Sequence, residues 1–215
     1  MAAAPHVCAT QRIDPIGSRH CLTHPDAMTI IDLAESSEKT REQAATMLVD
    51  DFAEPRGWPD LASAREEVAR VISEGFARGA IDGEILLGWI GALPEYHGRV
   101  WELHPMVVRK AHRRRGIGRL LVAVLEAEVS ARGGLTITLG TDDDSDMTSL
   151  AGIDLYGDVS RHIAGLRDLG RGHPFLFYRK LGFVVTGVVP DANGPGKPDI
   201  YMSKRVTSKE VPGSG

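Results

Sequence analysis

The fold of this chain is decided by residues 101–125, WELHPMVVRKAHRRRGIGRLLVAVL, which predict a strand, a basic turn and a helix in succession. The last part of the stretch has the i, i+3, i+4, i+7, i+8 spacing of a helix with one buried face, formed by Ile117, Leu120, Leu121, Val124 and Leu125. A glycine-rich turn before a helix gathers unpaired backbone N–H groups and the positive end of the helix dipole. The stretch therefore predicts a binding site for a phosphorylated ligand.

The basic turn strengthens this prediction, because Gly116 and Gly118 follow three consecutive arginines, Arg113, Arg114 and Arg115. A guanidinium group offers several donors to phosphate oxygens at once. A P-loop is excluded, since the chain contains no G-x-x-x-x-G-K-[ST] sequence. A dinucleotide fingerprint is incomplete, because Leu121 stands where the third glycine belongs. A nucleic-acid patch is the less favoured alternative, because the basic cluster is isolated in an acidic chain.

Composition places the chain among proteins with one ordinary globular domain. Its 215 residues are 42% hydrophobic and 25% charged, and the net charge is −4. That charge disfavours a general polyanion binder such as a nucleic-acid-binding protein. No apolar run approaches the roughly 18 residues of a membrane span, and the N-terminus lacks the apolar segment of a secretory signal. We therefore expect a cytoplasmic location without membrane association.

The two ends of the chain are expected to lie outside the domain. Residues 1–27 predict a disordered leader, residues 28–206 the domain, and residues 207–215 a flexible tail. Both cysteines, Cys8 and Cys21, fall in the leader, so no disulfide framework is expected in the domain. Their spacing from the nearby histidines does not fit a zinc site, and we expect no metal.

Periodicity and turn signals predict a mixed α/β sheet rather than a doubly wound one. Asp82-Gly83 between apolar runs predicts a hairpin turn, and Ser63 with Glu66 predicts the capped start of a helix over 64–76. Further strands are predicted at 29–33, 100–109, 135–141, 184–189 and 200–204, and further helices at 38–52 and 175–181. Residues 147–172 predict irregular or helical structure.

Two motifs carry a resemblance to a known superfamily. The R-x-x-G-x-G pattern at 113–118 resembles the acetyl-CoA pyrophosphate loop of the GCN5-related N-acetyltransferases (GNAT), and FYRKLGF at 177–183 resembles their later F-Y-x-K-x-G-F segment. Within this superfamily, several stretches resemble the aminoglycoside 6'-N-acetyltransferases: LGWIGALPEY, WELHPMVV, LGTDD, HPFLFYRKLGF and PDANGPGKPDIYMSK. The resemblance runs from about Thr29 to Arg205.

The resemblance implies an α/β (α+β) GNAT fold, with a mixed, mostly antiparallel central sheet, splayed parallel strands and flanking helices. It also implies acetyl-CoA as cosubstrate, the 6'-amine of an aminoglycoside as acceptor, direct attack in a ternary complex, and a homodimer. The positions implied to bind CoA are Val107, Val108, Arg113, Arg114, Arg115, Gly116, Ile117 and Gly118.

The strand before the basic turn carries candidate catalytic residues. Glu102 and His104 are two apart, so their side chains are predicted to share one face of the strand. A carboxylate and an imidazole suit the binding of an ammonium group and the removal of its proton. Pro105 predicts a local break in the ladder, because proline cannot donate to it. By resemblance, the N–H group of Met106 is aimed at the thioester oxygen.

Tyr178 is the remaining catalytic candidate. By resemblance, it protonates or orients the departing CoA thiolate. A phenol of pKa near 10 can give a proton to a thiolate whose thiol has a pKa near 8.5 only slightly uphill. The alternative reading is a half-buried core tyrosine.

An acidic loop follows the predicted strand at 135–141 and suits a polycationic acceptor. Asp142 and Asp143 lead this loop, and Asp199 and Tyr96 are further candidates for substrate binding. Clustered like charges attract cations, although a solvated acidic loop is the alternative. Trp58 is a candidate for stacking on a sugar ring.

Two rival functions remain open. The first is a GNAT acetyltransferase acting on another small amine or on a protein amine. The second is an acyl-CoA-binding module without catalysis, which is disfavoured because Tyr178, Glu102 and the phosphate loop are all present.

Overall fold

A computed structural model of the protein describes residues 28–52 and 57–206. The expected leader and tail, with both cysteines, lie outside the described residues. The described part forms one seven-stranded sheet in the order β1-β2-β3-β4-β5-β7-β6, in which every neighbouring pair is antiparallel except β4 and β5. The strands are β1 (Thr29–Asp32), β2 (Phe76–Asp82), β3 (Ile85–Glu95), β4 (Val100–Val108), β5 (Thr136–Asp142), β6 (Val184–Val189) and β7 (Asp199–Arg205). The predicted mixed, mostly antiparallel sheet is confirmed.

Helices cover both faces of this sheet. They are α1 (Glu38–Asp51), α2 (Leu61–Glu74), α3 (Ile117–Ala131), α4 (Val159–Ala164) and α5 (Phe175–Lys180). The buried side chains of α1 and α2 form one core with the sheet, and those of α3 and α5 form a second core. Within the described ranges, no helix has the length and apolar character that a membrane crossing requires.

The predicted start and end of α2 are wrong by a few residues. Asp60, not Ser63, caps the helix, because its extended backbone lets its carboxylate accept the N–H of Ser63 at 2.8 Å. The helix ends at Glu74, and Phe76 belongs to β2. Gly75 allows this abrupt change, since a Cβ at this position would collide with the carbonyl oxygen of Ala92.

The predicted break at Pro105 is confirmed in the strand register. Along β3 and β4, Ile90 lies opposite Met106 whereas Ala92 lies opposite Leu103, so β4 carries one extra residue beside the proline. The parallel pairing of β4 with β5 stops at Glu102. Beyond Glu102 the two parallel strands splay apart, and this gap holds the candidate site.

Candidate active site

A cleft of about 900 Å³ fills the gap between β4 and β5. The cleft is lined by the end of β4, the start of α3, the end of β5 and one face of α5, including Leu103, His104, Pro105, Met106, Val107, Val108, Gly116, Ile117, Gly118, Arg119, Gly140, Asp142, Phe177 and Tyr178. Most of the sequence-predicted catalytic and CoA-binding residues therefore meet in one place. The exceptions are Glu102 and Arg115, which lie outside the lining.

The start of α3 forms the anionic-ligand end of the cleft. Gly116 is the N-cap and has φ +86, a left-handed conformation that glycine adopts without strain. The first N–H groups of a helix have no partner within the helix, so those after Gly116 are available to a ligand. A Cβ at Gly118 would lie 3.2 Å from Phe177 Cζ, so glycine also lets α5 approach this point.

The three consecutive arginines have different surroundings. Arg113 donates through Nε to the carbonyl oxygen of Val108 at 2.9 Å and forms an ion pair with Asp51, so it fastens the turn to the end of α1. Arg115 lies 3.1 Å from His112 Nδ1. Arg114 lines the cleft with a left-handed backbone at φ +62. Arg114 is therefore the arginine of the three that can reach a ligand without breaking a hydrogen bond or ion pair like those of Arg113 and Arg115.

Arg119 lines the same end of the cleft and was missed by the sequence analysis. Its position carried a signal, because a cation in the first turn of a helix is electrostatically unfavourable unless an anion is bound there. The first turn of α3 contains no acidic residue. Arg114 and Arg119 together make this end of the cleft cationic.

Tyr178 lies between the cleft and the hydrophobic core. Its ring packs edge-on against Phe177 and Phe183, with ring centroids 5.1 Å and 5.6 Å away. Burial raises the pKa of the Tyr178 phenol. The phenol therefore keeps its proton at neutral pH and can donate a hydrogen bond in the cleft. Its raised pKa makes complete proton transfer to a thiolate more uphill than it would be for a phenol of pKa near 10.

His104 is held from outside the sheet by a residue that the sequence analysis missed. Its Nε2 lies 3.1 Å from Oε1 of Glu67 on α2, and its ring lies 6.0 Å from that of Trp58. Arg70 donates two hydrogen bonds to the Glu67 carboxylate, at 2.7 and 3.1 Å. Burial opposes ionisation of Glu67, but the hydrogen bond from Arg70 and the charges of His104 and Arg70 outweigh it and lower the Glu67 pKa.

A cluster of acidic groups lies where β5 and β7 pair. Asp142 stands opposite Asp199 in the register of these strands. Burial raises the pKa of Asp199 to about 6, with further contributions from the negative charges of Asp142 and Glu102. In the described part of the chain, Asp199 Oδ1 is a buried oxygen without a hydrogen-bond partner. We call Glu102, Asp142 and Asp199 the acidic cluster.

Tyr201 borders the acidic cluster and was also missed. It lies two residues after Asp199 on β7, so the two side chains share a face of the strand. Burial raises the pKa of the Tyr201 phenol, and so do the charges of Asp199 and Glu102. Glu102 alternates with buried Trp101 and Leu103 on β4, and its negative charge acts on Asp199 and Tyr201 of β7.

Two predicted substrate-binding residues are placed elsewhere. Asp143 is fully buried, and its two carboxylate oxygens accept the backbone N–H groups of Met147 and Thr148 at 2.6 and 2.8 Å. It therefore fixes the acidic loop, because the loop backbone engages both of its oxygens just after the end of β5. Tyr96 is 73% exposed in the turn after β3, outside the cleft lining.

Comparison with known proteins identifies the family. The profile of the Acetyltransferase (GNAT) family matches residues 37–156. An aminoglycoside 6'-N-acetyltransferase complexed with coenzyme A is 40% identical, with a TM-score of 0.79 over 85% of this chain and 99% of that one. The enzyme of that name from Enterococcus faecium is 40% identical, with a TM-score of 0.78 and the same coverage. An aminoglycoside 6'-acetyltransferase type Ii is 36% identical, with a TM-score of 0.65 over 85% and 100% of the two chains.

A search of curated proteins gives no match. The family profile nevertheless covers more than half of this chain, and the solved structures above 30% identity are matched along almost their whole length. The splayed β4 and β5 and the glycine-capped α3 are the features that the sequence resemblance implied. This chain belongs to the GNAT family of acetyltransferases.

Proposed function

We propose that this enzyme transfers the acetyl group of acetyl-CoA to the 6'-amine of aminoglycosides. The observation that carries the proposal is the division of charge around the cleft. Arg114 and Arg119 lie at the start of α3, whereas Asp142 lies at the end of β5 beside Asp199. A polyanionic donor and a polycationic acceptor would each meet the opposite charge. The similar structures named as aminoglycoside 6'-N-acetyltransferases support this choice of acceptor.

The donor would lie along β4 and the start of α3. The pyrophosphate would accept hydrogen bonds from the N–H groups that follow Gly116 and from Arg114 and Arg119. Val107 and Val108 line the cleft between this point and Met106, and they would hold the arm that leads to the thioester. The N–H group of Met106 would stabilise the negative charge that develops on the thioester oxygen.

The reaction would proceed by direct attack in a ternary complex. The neutral amine nitrogen forms a bond to the thioester carbon, and the C–S bond breaks. The acceptor ammonium first gives one proton to His104 or Glu102, and the nitrogen loses its second proton as the C–S bond breaks. Tyr178 passes its own proton to the departing thiolate and takes up that second proton, so the phenol is restored. The residues from 28 onward contain no cysteine, so no cysteine of the domain carries an acyl intermediate.

The acidic cluster would select the acceptor. Asp142 and Asp199 attract ammonium groups, and the buried Oδ1 of Asp199 gains a donor when a cation binds. Several ammonium groups on one acceptor would use the cluster better than a single amine. This preference is consistent with an aminoglycoside and also with a linear polyamine.

The test is the release of free thiol from acetyl-CoA in the presence of single acceptors. Kanamycin should accelerate thiol release, whereas an otherwise matched aminoglycoside with a 6'-hydroxyl group should not. Faster release with spermidine than with kanamycin would reassign the acceptor to the polyamines. If no aminoglycoside accelerates thiol release, the proposed acceptor is wrong, although the family assignment stands.

The homodimer and the cytoplasmic location that we expect from the sequence stay predictions. A homodimer is compatible with β6, which lies at the edge of the sheet and exposes Val184 and Val189. Light scattering coupled to gel filtration would measure the oligomeric state. A mass of one chain, 23.2 kDa, would contradict the dimer.

A further inference from the structure

Glu67 has no place in the sequence resemblance, yet it is the residue that contacts the imidazole of His104. Its side chain is 14% exposed, and its Oε1 lies 3.1 Å from His104 Nε2. The two residues are 37 positions apart and lie on different elements, α2 and β4. The contact therefore depends on the packing of α2 against the sheet, and it fixes one edge of the histidine ring.

The charge of Glu67 determines which ring nitrogen carries the proton. A carboxylate accepts hydrogen bonds and donates none. Because the Glu67 pKa is lowered, this group is ionised at neutral pH, so His104 must donate through Nε2–H. In the neutral imidazole the other nitrogen, Nδ1, is then unprotonated and carries a lone pair. His104 lines the cleft, so Nδ1 is the nitrogen that can serve a bound acceptor.

Glu67 is itself held in place. Arg70, three residues later on α2, donates to both of its carboxylate oxygens, and the same guanidinium donates to Glu74 at 3.2 Å. A bidentate pair restricts both the position and the rotation of a carboxylate. The chain Arg70–Glu67–His104 thus runs from the surface of α2 to the cleft.

We infer that Glu67 is a positioning residue for acetyl transfer. By accepting Nε2–H it orients the His104 ring and keeps Nδ1 free to take the proton of the acceptor ammonium. That proton moves from the acceptor nitrogen to Nδ1, and the freed lone pair attacks the thioester carbon. The inference rests on the proposed function, because it assigns to His104 the proton transfer that was left open between His104 and Glu102.

A test of this inference must separate the effect of Glu67 from that of the other groups around His104. On α2, Glu67 contacts the imidazole ring and Arg70 contacts Glu67. Trp58 contributes an uncharged ring, and Glu102 lies two residues before His104 on the same face of β4. On β3, the neighbour at this point is Gly91, beside the backbone carbonyl of His104. Among the described residues, Glu67 is the charged group in hydrogen-bond contact with the ring, so its removal should dominate any change in the ring tautomer.

The first experiment is a titration of the His104 ring by nitrogen-15 NMR, with His104→Gln used to assign the signal. The wild type should show the Nε2–H tautomer when neutral. Glu67→Gln removes the charge but keeps an acceptor oxygen, so the Nε2–H tautomer should be retained. Glu67→Met has similar length without an acceptor, and it should give a mixture of tautomers.

The matched control is Glu74→Gln. It removes a carboxylate from the same helix and from the same arginine, but Glu74 does not contact His104. The His104 tautomer should stay as in the wild type. A Glu67→Met spectrum that matches Glu74→Gln in tautomer, or a wild type in which Nδ1 carries the proton, would overturn the inference.

The second experiment measures acetyl transfer in the same variants. Glu67→Met should lower kcat about tenfold with the KM for acetyl-CoA unchanged, because the donor site at α3 is untouched. Glu67→Gln should recover most of kcat, because its amide oxygen still accepts the Nε2–H group of His104. Unchanged kcat in Glu67→Met, or a loss confined to the KM for acetyl-CoA, would also overturn it.

The two proposals fail in different ways. Loss of thiol release with every aminoglycoside in the wild type would refute the proposed acceptor. The NMR titration requires no acceptor, so it still decides whether Glu67 sets the tautomer of His104.

Discussion

The buried carboxylate of Asp143 gives a prediction that separates a structural role from substrate binding. Asp143 accepts the N–H groups of Met147 and Thr148, one on each oxygen, in a fully buried position. Asp143→Asn keeps the shape and one acceptor, but its amide NH2 group must face one of the two N–H groups. The variant therefore loses one charge-assisted bond and leaves a buried donor unsatisfied.

The expected cost follows from these two changes. One lost bond and one unsatisfied buried N–H group together cost about 3 kcal/mol. Relief of carboxylate desolvation offsets about 1 kcal/mol of this. The free energy of unfolding should therefore fall by about 2 kcal/mol. For a domain of this size, such a loss lowers Tm by about 4–8 °C.

The assay is thermal and urea unfolding, with Asp146→Asn as the control. Asp146 lies in the same loop, but its side chain is 58% exposed and pairs with Lys197, so its variant should change stability by less than about 1 kcal/mol. The KM for kanamycin should rise in Asp142→Asn and stay near the wild-type value in Asp143→Asn. An Asp143→Asn variant with wild-type stability and a raised KM would refute the structural assignment.

Three further predictions concern the cleft. Tyr178→Phe removes the phenol proton but not the ring, so kcat should fall about 100-fold. The CoA Kd, measured by calorimetry, should stay within about twofold of the wild-type value. An unchanged kcat would show that Tyr178 takes no part in the proton transfer. Gly118→Val places a side chain against Phe177 and beside the N–H groups of α3, and it should raise the CoA Kd more than about tenfold; equal affinity would contradict the phosphate site. Because the Asp199 pKa is about 6, Asp199 loses its charge as pH falls through 6, so the acceptor KM should rise between pH 7 and pH 5. Asp199→Asn should flatten that rise. An equally steep rise in the variant would exclude Asp199 as its cause.

The part of the fold that sequence predicts best is the part set by local chemistry. The hairpin turn, the apolar stripe of α3 and the proline in β4 each act within a few residues, and the structure contains all three features. The turn itself lies one residue later than predicted, at Gly83 and Glu84, because Asp82 still pairs with Ile85. The errors in the predicted helix and strand boundaries occur where an atom that is distant in sequence determines the local backbone. The end of α2 depends on the carbonyl of Ala92 on β3, and no local pattern around Gly75 reveals that contact.

The residues of the candidate site likewise fall into those that local sequence predicts and those that depend on distant contacts. The glycines of the turn before α3 were predictable, because the conformation they require is encoded at their own positions. Glu67 was not predictable, since among Arg65, Glu66 and Arg70 it resembles any other charge on a solvated helix. Asp143 misled for a related reason, because a run of aspartates looks uniform in sequence, although Asp143 is buried just after β5 and Asp142 at the end of the strand is exposed.

Asp199 shows why the acidic cluster is best explained by a bound cation. A half-buried carboxylate with an unpartnered oxygen and a negative neighbour opposes folding at neutral pH. Its folded-state pKa lies above the unfolded value, so this penalty grows as pH rises from about 4 to about 6 and is then constant. Asp199→Asn should accordingly raise Tm at pH 7 but not near pH 4. A Cβ on Gly140 would displace the Asp199 carboxylate, because it would meet Asp199 Oδ2. A residue that costs stability is expected where a ligand supplies the missing donor, and the proposed polycationic acceptor would be such a ligand.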